Sequence, residues 1–159
     1  MRKILDGKKI GKILAFDYKM HHSPDTHPTA PIFKLKKGKN EIPWRFNKKI
    51  SGGGNFLDMG LHVLDFLIHS FGDVKKHQFI KNKTQKYYDV EESYILNLIF
   101  KNGVIGQGAW HSTVSEKIDL MNIYGTKGSI QFSFNFDDKV VLKINKKKIV
   151  KIIKLNTPA

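Results

Sequence analysis

Gly52-Gly53-Gly54-Asn55-Phe56-Leu57-Asp58-Met59-Gly60-Leu61-His62-Val63-Leu64-Asp65-Phe66-Leu67-Ile68-His69-Ser70-Phe71-Gly72-Asp73 is the stretch that decides the fold. On a helical wheel at about 100° per residue, Asp58, His62, Asp65 and His69 fall within about 60° of one another, with Asn55 at the edge of the stripe. The other positions from Phe56 to Phe71 are apolar, apart from Gly60 and Ser70. A helix apolar over most of its circumference is expected to be buried. A narrow stripe of carboxylates and imidazoles on such a helix faces something specific, because unpaired buried charge is costly. Any one of these residues alone is explained by pairing with a nearby loop. Four in line favour a site.

The glycines at the start of the stretch permit a sharp turn and a close backbone approach. Ser51 or Asn55 is expected to cap the first turn, and Gly72 to end the helix in the left-handed region.

Gly-Gly-Gly-x-x-x-Asp-x-Gly-x-His-x-x-Asp, preceded by Trp44-Arg45, resembles the signature of the Gfo/Idh/MocA oxidoreductases. Ile10-Gly11-Lys12-Ile13 is similar to that family's entry into its first sheet strand. Phe100-Lys101-Asn102-Gly103-Val104 is similar to its strand–turn–strand, and Tyr124-Gly125-Thr126-Lys127-Gly128-Ser129-Ile130 to a later turn. The resemblance spans nearly the whole chain. It implies that the helix lies beside an active site in the second of two domains. The first, an N-terminal dinucleotide-binding (Rossmann) domain, is expected to be absent here: no strand leads into Gly-x-Gly-x-x-Gly, and the family's Glu-Lys-Pro motif is missing. Residues 1–159 are therefore expected to form a single substrate-binding and oligomerisation domain.

At 159 residues and 40% hydrophobic content, the chain suits one globular domain with a sizeable core. It has no cysteine, which excludes disulfides and thiolate metal sites. No apolar run reaches the roughly 18 residues of a membrane span, and no signal-peptide pattern follows Met1. A cytoplasmic protein with no membrane partner is expected. The net charge of +14 raises the question of nucleic acid. Arg2 and Arg45 are the only arginines, however, and arginine is the preferred reader of phosphate and guanine. The lysines are spread among ordinary strand patterns, so no nucleic-acid partner is expected.

Ile10 to Met20 reads as a strand, with Ile13, Ala15 and Asp17 on one face and Leu14, Phe16 and Tyr18 on the other. His21 to Asn40 reads as a loop. Its His21, His22, Asp25 and His27 fit no standard zinc spacing, and no metal is expected. After the helix come candidate strands at 74–83, 91–101, 104–112, 118–124, 129–135, 139–144 and 148–155. Asn102-Gly103 is the strongest hairpin signal. Short turns between successive strands predict an α+β fold: an open-faced, mostly antiparallel sheet with one long helix packed on one face. One helix cannot cover both faces, and the resemblance implies that the free face pairs with another subunit as a homo-oligomer.

The resemblance also implies an NAD- or NADP-dependent dehydrogenase acting on a sugar, polyol or related secondary alcohol. Removing a hydroxyl proton needs a base, and imidazole suits the task near neutral pH. His62 occupies the family's catalytic histidine position, and Asp58 lies one turn earlier to orient it or the substrate. Trp44, Arg45 and Asn55 are the candidate substrate contacts, since a guanidinium fork binds oxygens in pairs. Asp65 and His69 are expected to be supporting residues. No cofactor-binding residue is expected in this chain, and the family's partnering lysine belongs to the other domain. The alternative is a stand-alone, non-catalytic assembly domain or the remnant of a truncated gene.

Overall fold

The computed structural model describes residues 9–22, 47–54, 56–83, 89–112, 114–135, 139–144 and 149–154. Among the described residues eight strands form one sheet: β1 (Ile13–His21), β2 (Val74–Asn82), β3 (Ser93–Phe100), β4 (Ile105–His111), β5 (Ile118–Gly125), β6 (Gly128–Phe132), β7 (Lys139–Ile144) and β8 (Ile149–Lys154). Their spatial order is β2-β3-β4-β1-β5-β6-β7-β8. Every pairing is antiparallel except β1 with β4, so the first strand is inserted in mid-sheet between two later ones. Among the described residues two helices precede β2: the short α1 (Lys48–Ser51) and the longer α2 (Leu61–Phe71), the latter entered through a π-helical turn at Phe56–Gly60.

The alternation expected of each strand sets the two faces. Phe16, Tyr18 and Met20 of β1, Tyr94 to Phe100 at every second position of β3, and Met121 and Ile123 of β5 all point to the helix side and are buried. Onto them α2 lays Val63, Leu67 and Phe71. Phe71 sits 5.8 Å from Phe16 and 5.4 Å from Phe100, ring centroid to centroid. Phe66 meets Phe132 and Phe134 in edge-to-face contacts at 5.6 and 5.2 Å. Burying each of the three helix residues contributes about 1.5–3 kcal/mol, far more than helix propensity in a segment this short.

The outer side of α2 differs from the expectation of a buried helix. Leu61 and Ile68 are 44% and 42% exposed, alongside exposed His62, Asp65 and His69. Val63, Leu67 and Phe71 are buried and Leu64 and Phe66 pack partly buried beside them, yet the apolar arc does not close around the helix. Leu61 and Ile68, beside the polar stripe, lie on the surface.

The second sheet face carries no helix among the described residues. At its edge His21 and His111, paired across the parallel β1–β4 ladder, stack edge-to-face at 5.1 Å. His111 Nδ1 lies 3.1 Å from Ser93 Oγ. Both imidazoles are held below their ordinary pKa, each chiefly by burial. For His21 the neighbouring His111 and Lys19 add to the lowering, against an opposing pull from Glu116. The unfolded chain therefore binds these protons more readily than the folded one. Stability is full above the ordinary imidazole pKa of about 6.5 and is lost as pH falls from there through the lower folded values. Melting scans from about pH 7 to about pH 5 should show a falling midpoint, and His21→Asn with His111→Asn should flatten the slope. An unchanged slope in that double variant would show that other groups control the acid response.

Candidate functional site

The signature stretch is fixed by close contacts that only its residue types allow. Asn47 caps α1 through its side chain, accepting from the Lys49 N–H at 3.0 Å. Among the described residues no side chain caps α2, Asn55 lying outside them; Ser51 Oγ instead stands 3.0 and 2.7 Å from the backbone oxygens of Asn47 and Gly53, between which its one hydrogen is shared. Gly54 then runs against β3. A Cβ there would stand 2.0 Å from the Tyr94 hydroxyl and 2.2 Å from the Glu91 carbonyl. That hydroxyl donates to the same carbonyl, and burial, then the Glu91 charge, pushes the Tyr94 phenol well above its usual range.

The π-helical turn follows directly. A Cβ on Gly60 would meet the Phe56 ring at 2.4 Å, so glycine is what lets that ring fold back over the turn. The ring wedges between Phe79, Trp110 and Tyr94 at 4.8, 5.1 and 5.7 Å. π-helical turns concentrate at functional positions because the extra residue re-aims the side chains around it. Here the re-aimed residue is Asp58, which is half-buried, while His62 one turn on is exposed.

Beneath the glycines lies a cavity of about 170 Å³, lined by Phe56, Phe79 and Tyr94 and by the charged groups of Lys48, Lys81 and Glu91. Lys81 hydrogen-bonds the Glu91 carboxylate, and Lys48 stands 3.9 Å away. The Lys81 bond is the main reason that carboxyl is held below its usual range. A larger concavity, about 570 Å³, opens at the far end of α2 beside Ser70, Asn102 and Lys127, and holds none of the expected site residues. Chemistry, not size, singles out the glycine end.

Of the expected site residues, Asp58 and His62 are placed at the start of the helix by these contacts. Trp44, Arg45 and Asn55 lie outside the described residues, as do Asp25 and His27. Among the described residues no group of three or more His, Cys, Asp or Glu side chains is placed to hold a metal. Sequence reasoning missed the Tyr94–Glu91–Lys81 support under the glycines. Its signal was the paired acid Glu91-Glu92 just before a strand, which spacing alone does not connect to residue 54.

A family model described as the GFO/IDH/MocA C-terminal domain matches residues 1–131. The chain belongs to the Gfo/Idh/MocA family. Oxidoreductase P35 of Formosa agariphila is 32% identical over 136 residues, which is 84% of this chain and 39% of that protein. D-glucoside 3-dehydrogenase of Escherichia coli is 28% identical over 129 residues, 62% of this chain and 37% of that enzyme. The chain thus spans under two-fifths of the length of these curated relatives. Levoglucosan dehydrogenase, in its complex with NADH and levoglucosan, shares the fold at a TM-score of 0.76 and 21% identity, covering 97% of this chain and 42% of that one. An inositol dehydrogenase homologue of Azotobacter vinelandii, complexed with NAD+, gives a TM-score of 0.77 at 13% identity, over 96% of this chain and 39% of that one. At these identities the likeness establishes the fold alone. The open, mostly antiparallel sheet with its one long helix among the described residues is thus the architecture of the Gfo/Idh/MocA C-terminal domain.

Proposed function

We propose that residues 1–159 form the substrate-binding domain of an NAD(P)-dependent dehydrogenase acting on a sugar, polyol or related secondary alcohol. The observation that carries this reading is the outer face of α2 and its π-helical lead. Exposed His62, Asp65 and His69 there are bordered by Leu57, Leu61 and Ile68, each more than 40% exposed. A surface that sets apolar side chains around an ionisable stripe is suited to a second domain closing over a substrate. The relatives named as sugar dehydrogenases support the substrate class.

No described strand runs into a glycine loop that opens a helix, and α2 is entered from a π-helical turn, so these residues offer no cradle for a dinucleotide. A nicotinamide held by the partnering domain would accept the hydride. This chain supplies the proton chemistry and the grip on substrate. His62 takes the hydroxyl proton as the carbonyl forms, and Asp58, one turn earlier, orients the imidazole or a substrate hydroxyl. Trp44, Arg45 and Asn55 contact substrate, with the Arg45 fork pairing two oxygens. The free sheet face joins copies of the chain into a homo-oligomer in the cytoplasm, without nucleic-acid or membrane partners. No described helix is long and apolar enough to cross a membrane.

Sequencing the coding DNA upstream of Met1 tests this reading. An in-frame dinucleotide-binding domain is expected; its absence would favour the stand-alone assembly domain. Calorimetry on the 159-residue chain should also detect no binding of NADH or NADPH. Micromolar affinity would overturn the division of labour between the two domains.

A further inference from the structure

The Tyr94 hydroxyl reaches from β3 into the backbone of the signature stretch. A phenol has one hydrogen to give and an oxygen that can accept. The hydrogen goes to the Glu91 carbonyl at 2.5 Å. Burial, then the Glu91 charge, holds the phenol above its usual range, so that hydrogen is retained; the backbone N–H groups of Gly54 and Phe56 bond to the oxygen and oppose the rise. One buried hydroxyl thus serves three backbone groups. Glycine at 54 is what permits the approach, since a Cβ there would stand 2.0 Å from the hydroxyl oxygen.

The start of a helix leaves N–H groups without partners in its own backbone. Gly54 leads into the π-helical turn, its carbonyl accepting from the Leu57 N–H at 3.0 Å, and Phe56 is the first residue of that turn. A hydroxyl borrowed from the sheet therefore does what a capping side chain does elsewhere. Its own anchor is held in place, because Lys81 bonds the Glu91 carboxylate and Lys48 of α1 stands 3.9 Å from it. The turn that carries Asp58, and the helix start that carries His62, are registered on β3 at this point.

We propose that Tyr94 is a positioning residue for the acid–base pair, its hydroxyl fixing the Gly54 and Phe56 amides so that the π-helical turn presents Asp58 and His62 to substrate at one angle. The proposal rests on the dehydrogenase reading given above. Two observations separate it from a purely structural role. The ring of Tyr94 packs on Phe56 and Phe79 at 5.7 Å each, and that packing does not need the hydroxyl. The cavity of about 170 Å³ lined by Tyr94 and the glycines has room and polar partners for water, which can hydrate the amides if the hydroxyl is removed. The fold then survives while the turn loses its fixed angle. Proton transfer is sensitive to that loss, since a misplacement of about 1 Å can cost about 100-fold in rate.

Tyr94→Phe tests this in two settings. In the 159-residue chain, amide hydrogen exchange read by NMR is expected to quicken at least about tenfold at Gly54 and Phe56, with the β4 and β5 amides and the melting temperature nearly unchanged. In the two-domain dehydrogenase proposed above, kcat is expected to fall about tenfold to about 100-fold, with KM for the alcohol kept within about twofold. In a His62→Asn background the same change should lower kcat no further, because Tyr94 acts through His62. If Tyr94→Phe melts early, Tyr94→Met takes its place, as an apolar filler without a hydroxyl. Unchanged exchange at Gly54 and Phe56 overturns the proposal at its first link. Faster exchange with an unchanged kcat, or with an equal loss of kcat in both backgrounds, also overturns it and leaves Tyr94 a structural support, while the dehydrogenase reading stands. A wild type without dehydrogenase activity, or one whose turnover His62→Asn leaves alone, overturns the catalytic reading and the positioning role together.

Discussion

His62→Asn, made in the two-domain dehydrogenase proposed above, is expected to lower turnover by roughly 100-fold to 10,000-fold, the usual contribution of a general acid/base. The expectation follows from where the helix puts the side chain. Val63, Leu67 and Phe71 anchor α2 to the sheet, and His62 lies off that row, exposed on the outer face. Asparagine keeps a polar group of smaller size there, so folding should hardly change. A core histidine satisfied by backbone would behave in the opposite way. Its loss would destabilise the domain by about 1–3 kcal/mol and leave the activity of each folded molecule intact. Turnover and melting temperature, measured on the same preparation, separate the two. A variant that melts early yet keeps its per-molecule activity would sink the catalytic assignment. Asp58, half-buried in the π-helical turn, should give a smaller loss of turnover than His62 if it orients rather than transfers a proton.

Local pattern carried much of the architecture, because most of the sheet is built from neighbours in sequence. Tyr94, Leu96, Leu98 and Phe100 alternate with polar or half-exposed residues, and β3 buries just that set. Asn102-Gly103 closes the β3–β4 hairpin, with Asn102 Oδ1 accepting from the Val104 N–H at 3.0 Å. What the chain does not state locally is where β1 goes. Its insertion between β4 and β5 makes the single parallel pair, and no turn signal encodes a contact between residues 15 and 105. The helix showed a different limit. A wheel assumes one uniform period, while the Phe56–Gly60 turn is π-helical and so shifts Asp58 relative to His62. The wheel also counts apolar residues without knowing which of them find a partner, so it predicts a buried helix where Leu61 and Ile68 lie outside.

Asp119→Ala is expected to be among the most damaging single changes to the fold, at about 3 kcal/mol, for a reason only the folded state reveals. Asp119 is 6% exposed and collects four donors. The Tyr18 hydroxyl donates to Oδ1 at 2.9 Å, and Ser133 Oγ and the Asn135 side-chain amide donate to Oδ2 at 3.0 and 2.9 Å. The Asn135 backbone N–H also reaches Oδ2, at 2.6 Å. The carboxylate thereby ties β1 to the segment leaving β6. Burial first, then the charge of Asp119, pushes the Tyr18 phenol far above its usual range, so it remains a donor. Alanine would take the carboxylate acceptor from all four donors, although the Asn135 N–H also reaches Ser133 Oγ at 3.2 Å. Asn135 is exposed and Ser133 only half-buried, so water can reach them, but Tyr18 is 1% exposed and has no such relief. Most of the cost should therefore sit on one hydroxyl. For a domain of this size the loss corresponds to roughly 6–12 °C in melting temperature. A double-mutant cycle tests the assignment. Tyr18→Phe in the wild type should cost about 1 kcal/mol, because it removes a sound hydrogen bond. In the Asp119→Ala background the same change should raise stability, because it deletes the orphaned hydroxyl. A Tyr18→Phe effect of the same sign and size in both backgrounds would show that the Tyr18–Asp119 bond is not what the carboxylate holds together.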